Sequence, residues 1–187
     1  GQVTEMYAKS KGIKKLKTTS GYSLLKKLLN TDSTHFFYGV DSITLKKIKK
    51  IIDTDYPQAK VLGYLSPPYI KDNEIKNNER IKRDISQIKK INPDLIWVGL
   101  TNIKQDILMY EYHKYLDKGL MLGIGAGFLY LSGSIKMGPK WLKKLGLRWF
   151  FRVFQEPKRQ LKNTVPSVLK FILLFIKYDI LKFKPKN

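Results

Sequence analysis

The sequence predicts an α/β fold, a parallel sheet flanked by helices, followed by a basic helical C-terminal appendage. Three observations carry that expectation. Four short apolar runs, at 35–40, 60–64, 95–100 and 120–125, are continuous rather than alternating, as in strands buried on both faces. Helical spacings of apolar residues separate the runs. After residue 138 the strand signals stop, while basic and aromatic residues continue at helical spacing.

Taken in order, residues 1–34 read as two short helices around a loop at 11–20. HFFYGV (35–40) is the first strand, and apolar residues at 43, 45, 48, 51 and 52 predict a helix over 42–53. KVLGY (60–64) is the second strand. Ile75, Ile81, Ile85, Ile88 and Ile91 predict a helix over 73–91. LIWVGL (95–100) is the third strand, and a helix follows Lys104 through Ile107, Leu108, Tyr110 and Tyr112. LMLGIG (120–125) is the fourth. Such alternation implies parallel strands joined by right-handed crossovers. Gly138-Pro139 marks the expected boundary between a body at 1–138 and an appendage at 139–187.

Composition narrows the function. With 43% hydrophobic residues the chain can build a core, which excludes wholesale disorder. It has no cysteine, so a disulfide scaffold, a thiolate zinc site and a cysteine nucleophile are excluded. His35 and His113 are the only histidines, and no metal or other cofactor is expected. Lys and Arg number 36 against 15 Asp and Glu, a net charge of +21 at pH 7. A chain this basic suits nucleic acid, a phosphate-bearing substrate or an anionic membrane. Residues 140–187 carry a net +11, at roughly three times the charge density of the rest. They also hold Trp141, Trp149 and six of the nine Phe. Basic and aromatic residues interleaved on a helix suit a membrane interface; the same set could line an RNA groove or form a solvated face. The longest uninterrupted apolar run, 171–176, has six residues, and a spanning helix needs about 20. The first ten residues lack the apolar core of a signal peptide. Because it starts at Gly1 without Met, the chain is expected to be a fragment or a processed product.

In parallel sheets ligands bind outside the carboxyl ends of the strands. Those ends read Gly39-Val40-Asp41, Gly99-Leu100-Thr101-Asn102 and Gly123-Ile124-Gly125-Ala126-Gly127. Glycine there lets a phosphate or sugar approach the backbone, and the following helix start offers N–H groups to an anion. Glycine after a strand also serves plain turn geometry, and no Walker-type or Gly-x-Ser-x-Gly motif is present. Trp97 and Trp149 are expected in the core, and His35 at the surface or in a cap. Asp41 suits either a ribose or a helix N-cap. Asp94, after Pro93, is expected only to turn the chain. Asp106 could counter a helix dipole or act in catalysis.

Three stretches say more: NPDLIWVGLTNIKQD (92–106), GIGAGFLYLSG (123–133) and GPKWLKKLGLRWFFRVFQEPKR (138–159). Their order and spacing resemble the WecG/TagA/CpsF glycosyltransferase family, as do HFFYGV and the turn Thr19-Ser20-Gly21. The resemblance implies a Rossmann-like body and a membrane-associating appendage. It implies an inverting, metal-independent transferase on the cytoplasmic face of the cell membrane. Such an enzyme moves an N-acetylhexosamine-type sugar from a UDP donor to a polyprenyl-diphosphate-linked acceptor. Carried over by position, Gln105 would contact the donor or the reacting sugar, with Asp106 beside it as a second catalytic candidate. Lys104 would add charge near the diphosphate, which Gly99, Thr101, Asn102, Gly123, Gly125 and Gly127 would surround. Arg152, Arg159 and Lys162 would neutralise the diphosphate leaving group. Arg152 and Arg159 lie two turns apart and would share a helix face, unless Pro157 starts a new helix.

The departures are equally specific. The family's catalytic Asp would directly precede Gly1, and truncation is the expected reason that this chain lacks it. Thr18, Ser23 and Leu129 stand where the family carries charge, and truncation does not account for those. The rival readings are a catalytically inactive membrane-docking homologue and, as the lesser alternative, a basic nucleic-acid-binding protein.

Overall fold

A computed structural model describes every residue except 1, 140, 143, 144, 146 and 181–187. Its residues form two compact units, Thr19–Lys136 and, together, Gly1–Thr18 with Met137–Asn187. The first eighteen residues therefore group with the appendage, although the sequence placed 1–138 in one body. Side-chain contacts explain why. On α1 (Gln2–Ser10) the Glu5 carboxylate accepts from the backbone N–H and hydroxyl of Thr18, and the Tyr7 ring packs edge-on against Phe175, with centroids 6.0 Å apart.

The α/β unit opens with α2 (Gly21–Leu28), capped by Ser20, whose side chain accepts from Ser23 N. Four strands follow: β1 (Thr34–Gly39), β2 (Lys60–Leu65), β3 (Leu95–Gly99) and β4 (Leu120–Gly123). All pair in parallel, in the order β2-β1-β3-β4. Between them run α3 (Ser42–Asp55), α4 (Glu79–Ile91) and α5 (Asn102–Tyr112), and α6 (Gly127–Leu131) follows β4. The Rossmann-like α/β fold read from the sequence is the one observed. Strand alternation divides the core between the two faces. Phe36, Tyr38, Ile96 and Val98 pack against α4 and α5 through Ile81, Ile85, Ile88, Leu108 and Tyr112. Phe37, Leu95 and Trp97 pack on the other face against Leu25, Ile48, Ile52, Phe128 and Leu131.

Three expectations change. The helix read over 73–91 starts at Glu79, because Asn78 Oδ1 accepts from the N–H groups of Arg80 and Ile81 and stops the helix extending backwards. Asp72–Glu74 is a 3-10 turn instead, and Ile75 is still buried. His35 is not at the surface. It is fully buried, its Nδ1 accepts from Trp97 Nε1 at 3.1 Å, and burial lowers its pKa. Asp94 also does more than turn the chain. It accepts from the N–H and hydroxyl of Thr34 and pairs with Lys118 at 3.0 Å, joining the starts of β1 and β3.

In the second unit α7 (Arg148–Gln155) and α8 (Pro157–Phe175) meet at Glu156, with a π-helical turn at Ile176–Ile180. Pro157 does start a new helix. Among the described residues this unit has no strand. Trp149 is half-buried rather than core, with its ring against Phe150. The end of the expected appendage, 181–187, lies outside the described residues.

Candidate functional site

Strand order reverses between β1 and β3, and such switch points open a crevice at the carboxyl ends of the strands. Here the chain leaves β1 through Gly39, φ +135°, and Val40, φ +48°. A left-handed conformation at a β-branched residue is strained, and strain of this kind collects at functional sites. Two hydrogen bonds hold it. Val40 N–H donates to Gly99 O at 3.1 Å, and Ser66 Oγ donates to Val40 O at 2.7 Å. A Cβ on Gly39 would stand 2.5 Å from Gly99 O, so only glycine allows the two strand ends to approach this closely. Asp41 is the N-cap of α3, accepting from Thr44 N–H and Oγ1, and those bonds lower its pKa. That resolves its two readings in favour of the cap.

The ends of β3 and β4 join this crevice through Gln105. The side chain is buried, and its Oε1 accepts from Gly125 N–H at 2.8 Å. Ile124 N–H donates to Val98 O, and Gly127 N–H donates to Ile124 O. Gly125 itself has φ +49°. Gln105 therefore fixes the loop at 123–127 from α5. Gly99 lies beneath the Phe128 ring, Thr101 is the exposed N-cap of α5, and Asn102 opens that helix. Gly21 packs on Ile124, so the start of α2 lies beside the same loop; a Cβ on Gly21 would stand 3.0 Å from Ile124 Cβ.

The structure thus brings Gly99, Thr101, Gln105, Gly123, Gly125 and Gly127 together. Asp106 and Lys104 face differently. Asp106 is exposed on α5, about 100° round the helix from buried Gln105. Lys104 Nζ donates to Ile70 O at 2.5 Å and stands 4.4 Å from the centre of the exposed Tyr69 ring, with Asp72 at 3.8 Å. It holds the loop after β2. Sequence reasoning named Val40 only as part of a strand end and missed its left-handed backbone and its Ser66 partner.

In the other unit Arg152 and Arg159 do not line one helix face, because the chain breaks between them at Glu156, φ −135°. Both instead pair with Glu156, at 2.6 and 3.0 Å, and Gln160 Nε2 donates to the same carboxylate. Burial pushes the Glu156 pKa up, but the bond from Arg152 and the two positive charges outweigh it and lower the pKa. Lys162 is exposed. Of the positions where the family carries charge, Thr18 is bound to Glu5, Ser23 to Ser20 Oγ, and Leu129 is half-buried. No group of three His, Asp or Glu able to hold a metal occurs among the described residues, and no described helix is long and apolar enough to cross a membrane.

Among the relatives that match, those of two Bacillus species carry the name N-acetylglucosaminyldiphosphoundecaprenol N-acetyl-beta-D-mannosaminyltransferase. That of Bacillus subtilis (strain 168) is 30% identical over 173 residues, covering 89% of this chain and 63% of the relative. That of Bacillus spizizenii is 25% identical over 171 residues, covering 89% and 62%. The chain thus spans a little under two thirds of the length of these relatives. The model of the glycosyl transferase WecG/TagA/CpsF family matches residues 1–185. Since that match runs across nearly its whole length, this chain belongs to the glycosyl transferase WecG/TagA/CpsF family.

Proposed function

We propose that this chain works in a glycosyltransferase that moves an N-acetylhexosamine-type sugar from a UDP donor to a polyprenyl-diphosphate-linked acceptor. The product belongs to cell-surface polysaccharide or teichoic acid-type synthesis, and the work is done at the inner face of the cell membrane. The observation that carries the reading is Gln105 gripping the 123–127 loop beside the strained end of β1. The names of the relatives, which specify a diphosphoundecaprenol-linked acceptor and an N-acetylmannosaminyl group, support the choice of substrates.

The chemistry is a single inverting displacement. An acceptor hydroxyl attacks the anomeric carbon opposite the UDP, its proton passes to a base, and UDP departs with added negative charge. That charge is stabilised most by donors already fixed in place. The start of α5 supplies backbone N–H groups for the donor diphosphate, and the loop at 123–127, held by Gln105, contributes glycines that let the diphosphate approach the backbone. Asp41 is occupied by Thr44, so Asp106, exposed on α5 and turned from the Gln105 side, is the carboxylate of this chain proposed as base, second to the Asp that the family resemblance places directly before Gly1. On the appendage Arg152, Arg159 and Lys162 are the cations proposed for diphosphate, in place of a metal.

The appendage also has the composition for an anionic membrane. Leu169, Phe171, Ile172, Leu173, Leu174 and Phe175 of α8 are all exposed, with Lys162, Lys170 and Lys177 near them. Thr18, Ser23 and Leu129, which bring no charge, favour a second reading, an inactive homologue that only docks. The test is transfer of labelled sugar from UDP-N-acetylhexosamines to polyprenyl-diphosphate-linked N-acetylglucosamine, using protein made from its complete coding sequence. Transfer that falls about a hundred- to ten-thousandfold in Asp106→Asn supports the assignment of the base. Transfer unchanged in that variant moves the base elsewhere, and no transfer from any donor favours the docking homologue.

A further inference from the structure

The exposed stretch from the last turn of α1 to Thr19 carries lysines that the site just described does not use. Residues 9–19 are all exposed, and Lys9, Lys11, Lys14, Lys15 and Lys17 put five lysines into nine positions. Between them Ile13 and Leu16 are 57% and 42% exposed. Two apolar side chains held out among lysines make a small amphipathic tip.

The tip has a fixed base. Ile13 N–H donates to Ala8 O, Gly12 N–H donates to Lys9 O, and Gly12 takes φ +89°, which returns the chain toward α1. At the far end Glu5 accepts from the N–H and hydroxyl of Thr18, and Lys9 satisfies its other oxygen. The acid next to the loop is thus consumed internally, and the outward charge is positive. The same helix packs its Tyr7 ring on Phe175 of α8, so loop and tail belong to one compact unit.

We propose that the loop at 9–19 is a second membrane-contact element: Ile13 and Leu16 enter the head-group region and the lysines meet anionic lipid phosphates. This rests on the reading of the appendage as membrane-facing and adds a contact that the tail does not provide. Charge complementarity selects the occupant, since lysines around short apolar side chains match an anionic interface. The loop offers no aromatic ring on which a nucleic-acid base could stack.

Because the chain has no cysteine, Leu16→Cys and, separately, Leu173→Cys can each carry one environment-sensitive dye. The probes are vesicles of phosphatidylcholine alone, vesicles of equal parts phosphatidylcholine and phosphatidylglycerol, and a single-stranded RNA. Both dyes should shift to the blue with the anionic vesicles only. Replacing Lys11, Lys14, Lys15 and Lys17 together by Gln should weaken vesicle binding on the order of a thousandfold, each lysine contributing at the surface. All four side chains are exposed, and an unchanged circular dichroism spectrum confirms that the variant is folded. A silent Leu16 dye beside a responsive Leu173 dye, or unchanged binding by the fourfold variant, overturns the loop contact and leaves the appendage reading standing. Silence of both dyes overturns both readings. A Leu16 dye that answers RNA and not vesicles assigns the loop to nucleic acid.

Discussion

Replacing Gly123 by alanine tests how Gln105 is held. A Cβ there would lie 2.2 Å from Gln105 Nε2 and 2.7 Å from its Cδ, with Met109 Sδ at 3.0 Å. Gly123 has no positive φ, so the methyl group is the whole perturbation. The atoms in its way are the tip of a flexible side chain, so the amide swings aside and the strand stays. That breaks the 2.8 Å bond to Gly125 N–H and strands polar groups in a buried place. The cost is about 1–3 kcal/mol. Gln105→Ala loses the same bond and should cost a similar amount. In the double variant the methyl occupies room the shortened side chain has vacated. It should therefore lie within about 0.5 kcal/mol of Gln105→Ala alone, the two losses being strongly coupled. Urea unfolding of the four proteins at pH 7, followed by circular dichroism, reads this from the midpoints at constant slope. Additive losses, or a Gly123→Ala midpoint equal to the parent's, would refute the reasoning.

Three further outcomes are expected. Gly99→Ala places a Cβ 2.1 Å from the Phe128 ring, which is fully buried and packed on Phe37, so the same urea assay should show a loss of about 3 kcal/mol; an unchanged midpoint contradicts the packing. Burial raises the Asp84 pKa even though Tyr38 donates to the carboxylate at 3.0 Å, so the folded state binds the Asp84 proton more tightly than the unfolded one does. The stability this brings is present below the unfolded value of about 3.9 and is lost as pH rises through the folded value. Asp84→Asn should then be more stable than the parent at pH 7, with the gap closing toward pH 4; a gap independent of pH counts against it. Glu156→Gln removes the charge that both Arg152 and Arg159 bind, so amide exchange over the first turns of α8 should quicken while that of the α/β unit stays as it was.

The sheet was legible because each strand is an apolar run closed by turn residues, and the local signal agrees with the burial that results. His35 was misread because its partner Trp97 lies 62 residues away and only strand pairing brings them together. The helix over 73–91 was drawn too long because Ile75 keeps the helical period, although it is buried under Tyr112 just after a 3-10 turn, and Tyr112 Oη donates to Ile75 O. The glycines at the strand ends and Gln105 were singled out through motif order, and the structure places them side by side. The contacts of Lys104 were not legible, because its neighbours Ile70, Tyr69 and Asp72 belong to a loop with no pattern of its own. The grouping of residues 1–18 with the appendage depends on Tyr7 meeting Phe175, a contact between chain ends that periodicity does not encode.

The central claim is that a nucleotide diphosphate is held at the carboxyl ends of β3 and β4 by the loop that Gln105 fixes. Titrating the protein with UDP while following backbone amide resonances tests it directly. The largest shifts should fall on 99–103 and 123–127, and Gln105→Ala should weaken UDP binding about tenfold, the loss of roughly one good hydrogen bond's worth of loop order. Shifts confined to other parts of the sheet, or a UDP affinity untouched by Gln105→Ala, would contradict the account.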